Sequence, residues 1–250
     1  MLVSTAWGGK LIVPSEDLSL TPELMTKGQI EVPLTNFFIK SVKPGDRVID
    51  VGANVGYYSV LLGFLAGSTG KLFAYEANPY LYGYLMDNLS LNYLHDRTTT
   101  LNLAVHSQTS TISFFQCKKY LGNSSIYQHA ATYKKHYVDE IEKIEVSTAV
   151  LDKDFKNVDQ IDYLKIDIEG GEFHAFKGMS ELIVSGRLKT IVFELNPTML
   201  QADWEPFCAL LLEYKNIGKQ FFILNEMGDP LLINLETLLQ ENGHPHILMK

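Results

Sequence analysis

Residues 48–59 read VIDVGANVGYYS. Val48 and Ile49 open an apolar run that ends in Asp50 and Val51. A glycine-containing turn follows, Gly52-Ala53-Asn54-Val55-Gly56. Apolar residues then recur at helical spacing at Tyr57, Val60, Leu61, Phe64 and Leu65. The order is strand, tight turn, helix. Gly52 and Gly56 admit backbone angles that a Cβ forbids and let a ligand approach closely. Asn54 is the residue type that best tolerates the left-handed region after glycine. Such a turn delivers a ligand to the free N–H groups and partial positive charge of a helix N-terminus. Asp50, at the strand's end, is expected beside it, and a nucleotide-like ligand suits the site.

A second stretch supports this reading. Residues 71–76, KLFAYE, form an apolar strand ending in Glu76, roughly 25 positions after Asp50. A carboxylate at the end of the second strand of a Rossmann-like unit is placed to accept hydrogen bonds from ribose hydroxyls. Asn78-Pro79 then stops the strand and starts the next helix, with proline at a first helical position.

Composition narrows the class. The 250 residues suffice for one large α/β domain. The chain is 46% hydrophobic and 20% charged, an ordinary globular balance. Its net charge of −8 and pI near 5.4 argue against electrostatic capture of nucleic acid. Lys118-Lys119 and Lys134-Lys135 read as solvated faces. Cys117 and Cys208 lie far apart and form no metal-spaced pair, so reduced thiols in a cytoplasmic protein are expected. No basic stretch followed by an apolar one opens the chain. The longest apolar run, residues 60–66, is too short to span a bilayer, so no membrane association is expected.

Outward from the turn, residues 1–20 are poorly patterned. Thr21-Pro22-Glu23 reads as a helix start with Thr21 as N-cap. A second helix is expected over about 34–42, and residues 1–45 as a helical cover over the sheet edge or ligand site. Strands are expected at 48–51, 72–76 and 98–105, with helices at 56–66 and 79–93. That alternation implies a parallel sheet with right-handed crossovers. Further strands fall at 111–116 and 144–150. The polar stretch between them, about 117–143, reads as an insertion over the C-terminal edge of the sheet.

Residues 161–179 read IDYLKIDIEGGEFHAFKGM. A buried strand ends with Asp167 and Glu169 emerging, Gly170-Gly171 turns the chain, and Glu172 opens a helix. Clustered carboxylates at a partly dry strand end repel one another, so one is held protonated or poised as a base. His174 adds a group that titrates near neutral pH. The same acids could instead hold a divalent metal. Alternatively, Glu172 caps the helix and His174 faces solvent. Residues 190–194, TIVFE, end in Glu194, followed by Asn196-Pro197. Glu76 and Glu194 thus share the form E-x-N-P. A helix over 199–216 and an antiparallel hairpin at 220–224 and 230–233 close the pattern.

The combination of VIDVGANVGYYS, YEANP, LKIDIEGGE with Gly178, and VFELNP resembles the FkbM family of S-adenosylmethionine-dependent O-methyltransferases, over roughly residues 28–224. The resemblance implies a Rossmann-like class I methyltransferase fold. Its sheet would be seven-stranded and mostly parallel, finished by a C-terminal antiparallel hairpin, with helices on both faces. Residues 46–250 would form that domain. It further implies that Asp50, Gly52, Ala53, Asn54, Gly56 and Tyr57 line the methionine and ribose part of S-adenosyl-L-methionine. Glu76 would bind the ribose hydroxyls, with Ala77, Asn78 and Ala104 around the adenine. Asp167 would stand between cofactor and acceptor. Asp167, Glu169, His174 and Glu172 are the catalytic candidates, with Glu194 behind them; a divalent metal is possible on this donor set but is not predicted. The acceptor would be a hydroxyl of a sugar, glycan or small natural product.

Three rivals share parts of the pattern. A nicotinamide-dependent Rossmann oxidoreductase would share the first turn and the acid after the second strand, but not the closing hairpin or IDIEGGE. A nucleic-acid amino-methyltransferase often carries Asn/Asp-Pro-Pro-aromatic where this chain has Asp167-Ile168-Glu169-Gly170. A non-catalytic module would bind cofactor without turnover.

Overall fold

The structure, a computed structural model, describes residues 1–129, 133–240 and 245–250. Residues 130–132 of the expected insertion lie outside the described residues.

The chain opens with a hairpin, β1 (Leu2–Ser4) and β2 (Lys10–Ile12), where no element was expected. Helix α1 (Thr21–Lys27) follows. Thr21 is not its cap; the Asp17 carboxylate accepts from the N–H groups of Leu20 and Thr21 at 2.9 and 3.0 Å, and the Thr21 hydroxyl donates to the carbonyl of Pro14. An acid four residues upstream thus does the work assigned to threonine. Helix α2 spans Val32–Ser41. Strand β3 (Arg47–Val51), helix α3 (Tyr57–Ala66), strand β4 (Lys71–Tyr75) and helix α4 (Pro79–Leu91) then follow as expected.

The expected strand over 98–105 is two strands. β5 (Thr98–Leu101) joins the main sheet, whereas β6 (Ala104–Val105) turns away into a second, small sheet. That sheet is completed by β7 (Thr111–Cys117) and β8 (Ile141–Ala149), paired antiparallel. Between them lies α5 (Tyr133–His136). After α6 (Leu151–Asp154) come β9 (Ile161–Ile166), α7 (Glu172–Lys177), α8 (Ser180–Val184) and β10 (Leu188–Glu194). The helix expected over 199–216 is broken into α9 (Pro197–Leu200) and α10 (Trp204–Asn216), because Gln201 adopts φ +50 between them.

The C-terminal end departs from expectation. β11 (Phe221–Leu224) and β12 (Pro230–Leu232) do form the hairpin. After α11 (Leu235–Leu238), however, a last strand β13 (His246–Met249) inserts between β10 and β11, antiparallel to both. Among the described residues the main sheet therefore has eight strands, in the order β12-β11-β13-β10-β9-β3-β4-β5, against the seven expected. Ile247, Leu248 and Met249 are all buried, which suits a strand covered on both faces.

Side-chain alternation sorts the core onto the two faces of this sheet. Val48 packs with α2, α3 and α4, through Phe38, Leu62 and Leu85 among others. Ile49 and Val51 point the other way, to Phe176, Leu182, Phe207 and Leu211 of α7, α8 and α10. The architecture is Rossmann-like, a sheet with a parallel core and helices on both faces, as the resemblance implies. No helix among the described residues is long and apolar enough to cross a membrane.

The turn after β3 lies against the exit of β9. Gly52 has φ +77, and a Cβ there would stand 1.9 Å from the carbonyl oxygen of Asp167. Gly52→Ala is expected to cost at least about 3 kcal/mol, combining left-handed strain with overpacking against backbone. A urea midpoint within error of the wild type would refute this close approach.

Candidate functional site

All the parallel strands point the same way, so their C-terminal ends deliver Glu76, Asp167 and Glu194 to one edge. There a cleft opens in three connected parts. A slot runs between the Gly52 turn and the small sheet, lined by Glu76, Ala77, Leu103, Ala104, Phe114 and Leu121. A chamber of about 400 Å³ lies beside it, lined by Glu31, Ala53, Tyr57, Tyr58, Lys165 and Glu194. A groove of about 360 Å³ opens between the insertion and α9, lined by Tyr127, His129, Tyr133, Tyr137, Asn196 and Gln201. Gly52, Asn54, Gly122, Asp167 and Glu169 border both slot and chamber. Glu169 alone borders all three parts as described.

The turn is held by its own carboxylate. Asn54, at φ +53, donates its N–H to Glu76 Oε2 at 2.7 Å, and Asn78 donates to Oε1 at 2.8 Å. Burial pushes Glu76 up to about 7, against these two N–H groups, which favour the charged form. Each oxygen keeps a second lone pair for a ligand.

Several candidates from the sequence stand elsewhere. Asp50 is fully buried beneath the turn and does not line the cleft. It accepts from Ser59 Oγ at 2.6 Å and lies 3.8 Å from Lys165 Nζ, because strand parity turns it under the sheet's end. Gly56 does not line the cleft either. Its φ is +91, and a Cβ there would press on Leu85 of α4 at 2.9 Å, so its glycine serves helix packing. Asn78 is fully buried and caps α4, accepting from the Tyr80 N–H at 3.0 Å and from Gln116 Nε2 at 3.1 Å. Glu172 folds back to accept the N–H groups of Ile168 and Gly170 at 3.2 and 2.9 Å. It shapes the Asp167–Gly170 turn rather than facing the cleft, and burial raises it to about 7. His174 on α7 does not line the cleft but stands behind it, 3.5 Å from the hydroxyl of Tyr127. It is stacked on His106 with centroids 4.3 Å apart and lies 3.1 Å from Asp203, which also accepts from Tyr127. Burial lowers both imidazoles, His106 to about 4.

Asp167 and Glu169 do reach the cleft, with Gly52, Ala53, Asn54, Tyr57, Glu76, Ala77 and Ala104. Asp167, Glu169 and Glu194 offer carboxylate oxygens all within 4.8 Å of one another, a spacing that a cation could bridge. Burial, reinforced by Asp167 and by neighbouring acids, pushes Glu194 up to about 8 and Glu169 well above the ordinary range.

Sequence reasoning missed the basic partners. Lys165 is 3% exposed and sits 3.3 Å from Asp167; despite burial, Asp167 and Asp50 hold its ammonium above the usual lysine range. His246 on β13 lies 3.4 Å from Glu31, which also accepts from Tyr58 at 2.6 Å. Burial alone would raise Glu31, yet the His246 hydrogen bond and charge bring it down to about 2. Lys165 has a faint signal, a charge inside an apolar strand. The Glu31–His246 pair has none, since the two residues are distant in sequence.

The family described as Methyltransferase FkbM domain matches residues 50–244. Methyltransferase sdnD of Sordaria araneosa is 27% identical over 182 residues, 64% of this chain. The chain spans 66% of that relative's length, just under two thirds. The precorrin-6y C5,15-methyltransferase of Geobacter metallireducens GS-15 is 13% identical with a TM-score of 0.47, covering 96% of this chain and 94% of its own. The SAM-dependent O-methyltransferase of Thermotoga maritima is 16% identical with a TM-score of 0.44, covering 100% of this chain and 76% of its own.

Glu76, Glu172 and Glu194 stand at about 7, 7 and 8 in the fold, above the free carboxylate value. A raised acid contributes stability at low pH that is lost as pH climbs through its folded value. The melting temperature is therefore expected to fall between about pH 5 and about pH 8 and to level off above that, with Glu194→Gln making the fall shallower. A melting temperature that rises across this range would contradict the placement of these acids.

Proposed function

The chain belongs to the FkbM methyltransferase family, and on that premise we propose that it methylates a hydroxyl of a sugar, glycan or small natural product. Its cofactor is S-adenosylmethionine. The observation that supports the site assignment is the meeting of slot, chamber and groove at Glu169. The slot, with Glu76 on one wall and Ala77, Ala104 and Phe114 on the others, fits a nucleoside. The chamber, with both Lys165 and carboxylates, fits a zwitterionic amino-acid group. The groove is left for the acceptor.

S-adenosylmethionine supplies an electrophilic methyl on a sulfonium sulfur and leaves as the neutral sulfide. The protein's share is alignment and proton management. Fixing the acceptor hydroxyl against the slot and chamber removes translational freedom, worth up to about 7–11 kcal/mol in well-oriented systems. Slot and chamber residues would hold the donor so that its methyl faces the acceptor oxygen, with the sulfide as the leaving group. The hydroxyl proton passes into the cluster of Asp167, Glu169 and Glu194 carboxylates, whose oxygens lie within 4.8 Å of one another. His174 and Glu172 act only through the structure around the site. The acidic net charge and the polar, aromatic groove favour a small acceptor over nucleic acid.

Isothermal titration is expected to show micromolar binding of S-adenosylmethionine and none of nicotinamide dinucleotides; the reverse would sink the reading. Once an acceptor is found by screening hydroxylated compounds, Asp167→Asn is expected to keep the fold and lower turnover at least about tenfold. Unchanged turnover would remove Asp167 from the reaction.

A further inference from the structure

The groove assigned to the acceptor has two unlike walls. One is a row of rings from the insertion. His129 and Tyr133 have centroids 4.2 Å apart, and Tyr133 and Tyr137 are stacked at 4.6 Å with 27° between their planes. Tyr127 continues this wall. The other wall is polar, with Asn196, Thr198 and Gln201. A flat acceptor ring can rest its apolar face on the first wall and bond its hydroxyls to the second.

Two of the tyrosines are committed at their tips. Tyr127 donates its hydroxyl to Asp203 Oδ2, and Tyr133 donates its hydroxyl to Asp139 Oδ2 at 3.0 Å. Neither acid lines the groove; each holds the tip of a tyrosine that does. These bonds consume the hydroxyl hydrogens. The wall is left with ring faces, the negative part of the ring quadrupole. Asp139 is a standing charge. Burial alone would raise it, yet the Lys119 N–H, the Tyr133 hydroxyl and the Tyr120 N–H bring it below the ordinary carboxylate value. His129 does not offset it. Its Nε2 donates to the Asn123 carbonyl at 2.8 Å, and burial lowers the imidazole, which keeps it neutral. Among the described side chains no lysine or arginine lines the groove.

Resting on the assignment of this groove to the acceptor, we propose that Asp139 and Asp203, acting through Tyr133 and Tyr127, exclude negatively charged acceptors. The methyl then goes to a hydroxylated ring compound that bears no phosphate, sulfate or carboxylate. The two acids are positioning residues: they fix the ring faces and give the wall its sign. A like charge brought to a partly buried site loses about tenfold or more in affinity. A sugar still carried on a nucleoside diphosphate is therefore not the substrate. The step that supplies this acceptor is a glycosyl transfer, which leaves the diphosphate behind, or the hydrolysis of a phosphate ester.

Methyl transfer from S-adenosylmethionine by the whole chain tests this near pH 8, above the ordinary imidazole range. The probes are matched pairs: methyl glucoside and methyl glucuronide, methyl rhamnoside and thymidine diphosphate rhamnose, catechol and protocatechuate. For each pair that reacts, kcat/KM is expected to be at least about tenfold higher for the uncharged member, chiefly through KM. That ratio should shrink several-fold between about 0.02 M and about 0.5 M salt, because screening weakens a charge effect and leaves a fit of shape unchanged. Asp203→Asn, which can still accept the Tyr127 hydroxyl, should shrink the ratio at least about threefold at low salt. Thr198→Lys, which puts a cation on the exposed opposite wall, should do the same and carries the test if Asp203→Asn does not fold. An anionic member turned over as well as its partner overturns the proposal, as does a ratio that neither salt nor the folded variants move. Turnover of no member by protein that binds S-adenosylmethionine would instead strike the hydroxyl-acceptor reading itself.

Discussion

A buried ammonium group holds the centre of this molecule together. Lys165 stands on β9 directly across from Asp50 on β3 in the parallel register, with its Nζ 3.8 Å from Asp50 and 3.3 Å from Asp167. Taking a lysine out of water costs several kcal/mol, and it is tolerated only with partners of good geometry. Here two carboxylates and the face of Tyr58, 5.2 Å from Nζ, supply them. The arrangement lets an acid sit fully buried beneath the glycine turn and another stand at its rim. Without the cation, Asp50 would be an unpaired charge in the core, and the strand ends that carry the turn would be pushed apart.

The same parallel register gathers the acids. Parallel strands end together, so Glu76, Asp167 and Glu194 meet at one edge although they are far apart in the chain. Their crowding has a cost, visible in the raised proton affinity of Glu169 and Glu194. Glu76 is relieved by two backbone N–H groups and Asp167 by Lys165. Glu31 is relieved by His246. Among the described residues Glu169 has no such partner, at the point where slot, chamber and groove join.

The roof over this edge comes from two separate segments. Leu121 and Gly122 of the insertion donate their N–H groups to Asp17 and Ser19 of the N-terminal segment, at 3.2 and 3.0 Å. Tyr127 reaches Asp203 beyond β10, and Gln201 donates to the carbonyl of Gln128 at 3.1 Å. These bonds bring the aromatic wall of the groove against α9. Residues 121–128 of the insertion are therefore part of the site's wall, tied to the N-terminal segment and to the chain after β10.

Local chemistry was legible from the sequence alone. The strand–turn–helix at Val48–Ser59, the left-handed Asn54, the acids at the ends of β4, β9 and β10, and the hairpin of β11 and β12 all follow from spacing, glycine placement and apolar periodicity. The two E-x-N-P stretches behave alike, since Asn78 and Asn196 each accept a backbone N–H to cap the helix that proline opens. What spacing leaves open is direction. Asp50, Asn78 and Glu172 turn inward, and His174 packs on His106 behind the groove-lining Tyr127, because strand parity and helix rotation are set by what packs against them. The entry of β13 between β10 and β11, and with it the Glu31–His246 pair, depends on contacts between residues far apart in the chain. No local pattern encodes those contacts. The sequence by itself determined which chemistry was available at the strand ends. The tertiary structure decided which of those groups face the cleft, because only the assembled sheet sets which side chains are paired, which are buried, and which remain without a partner.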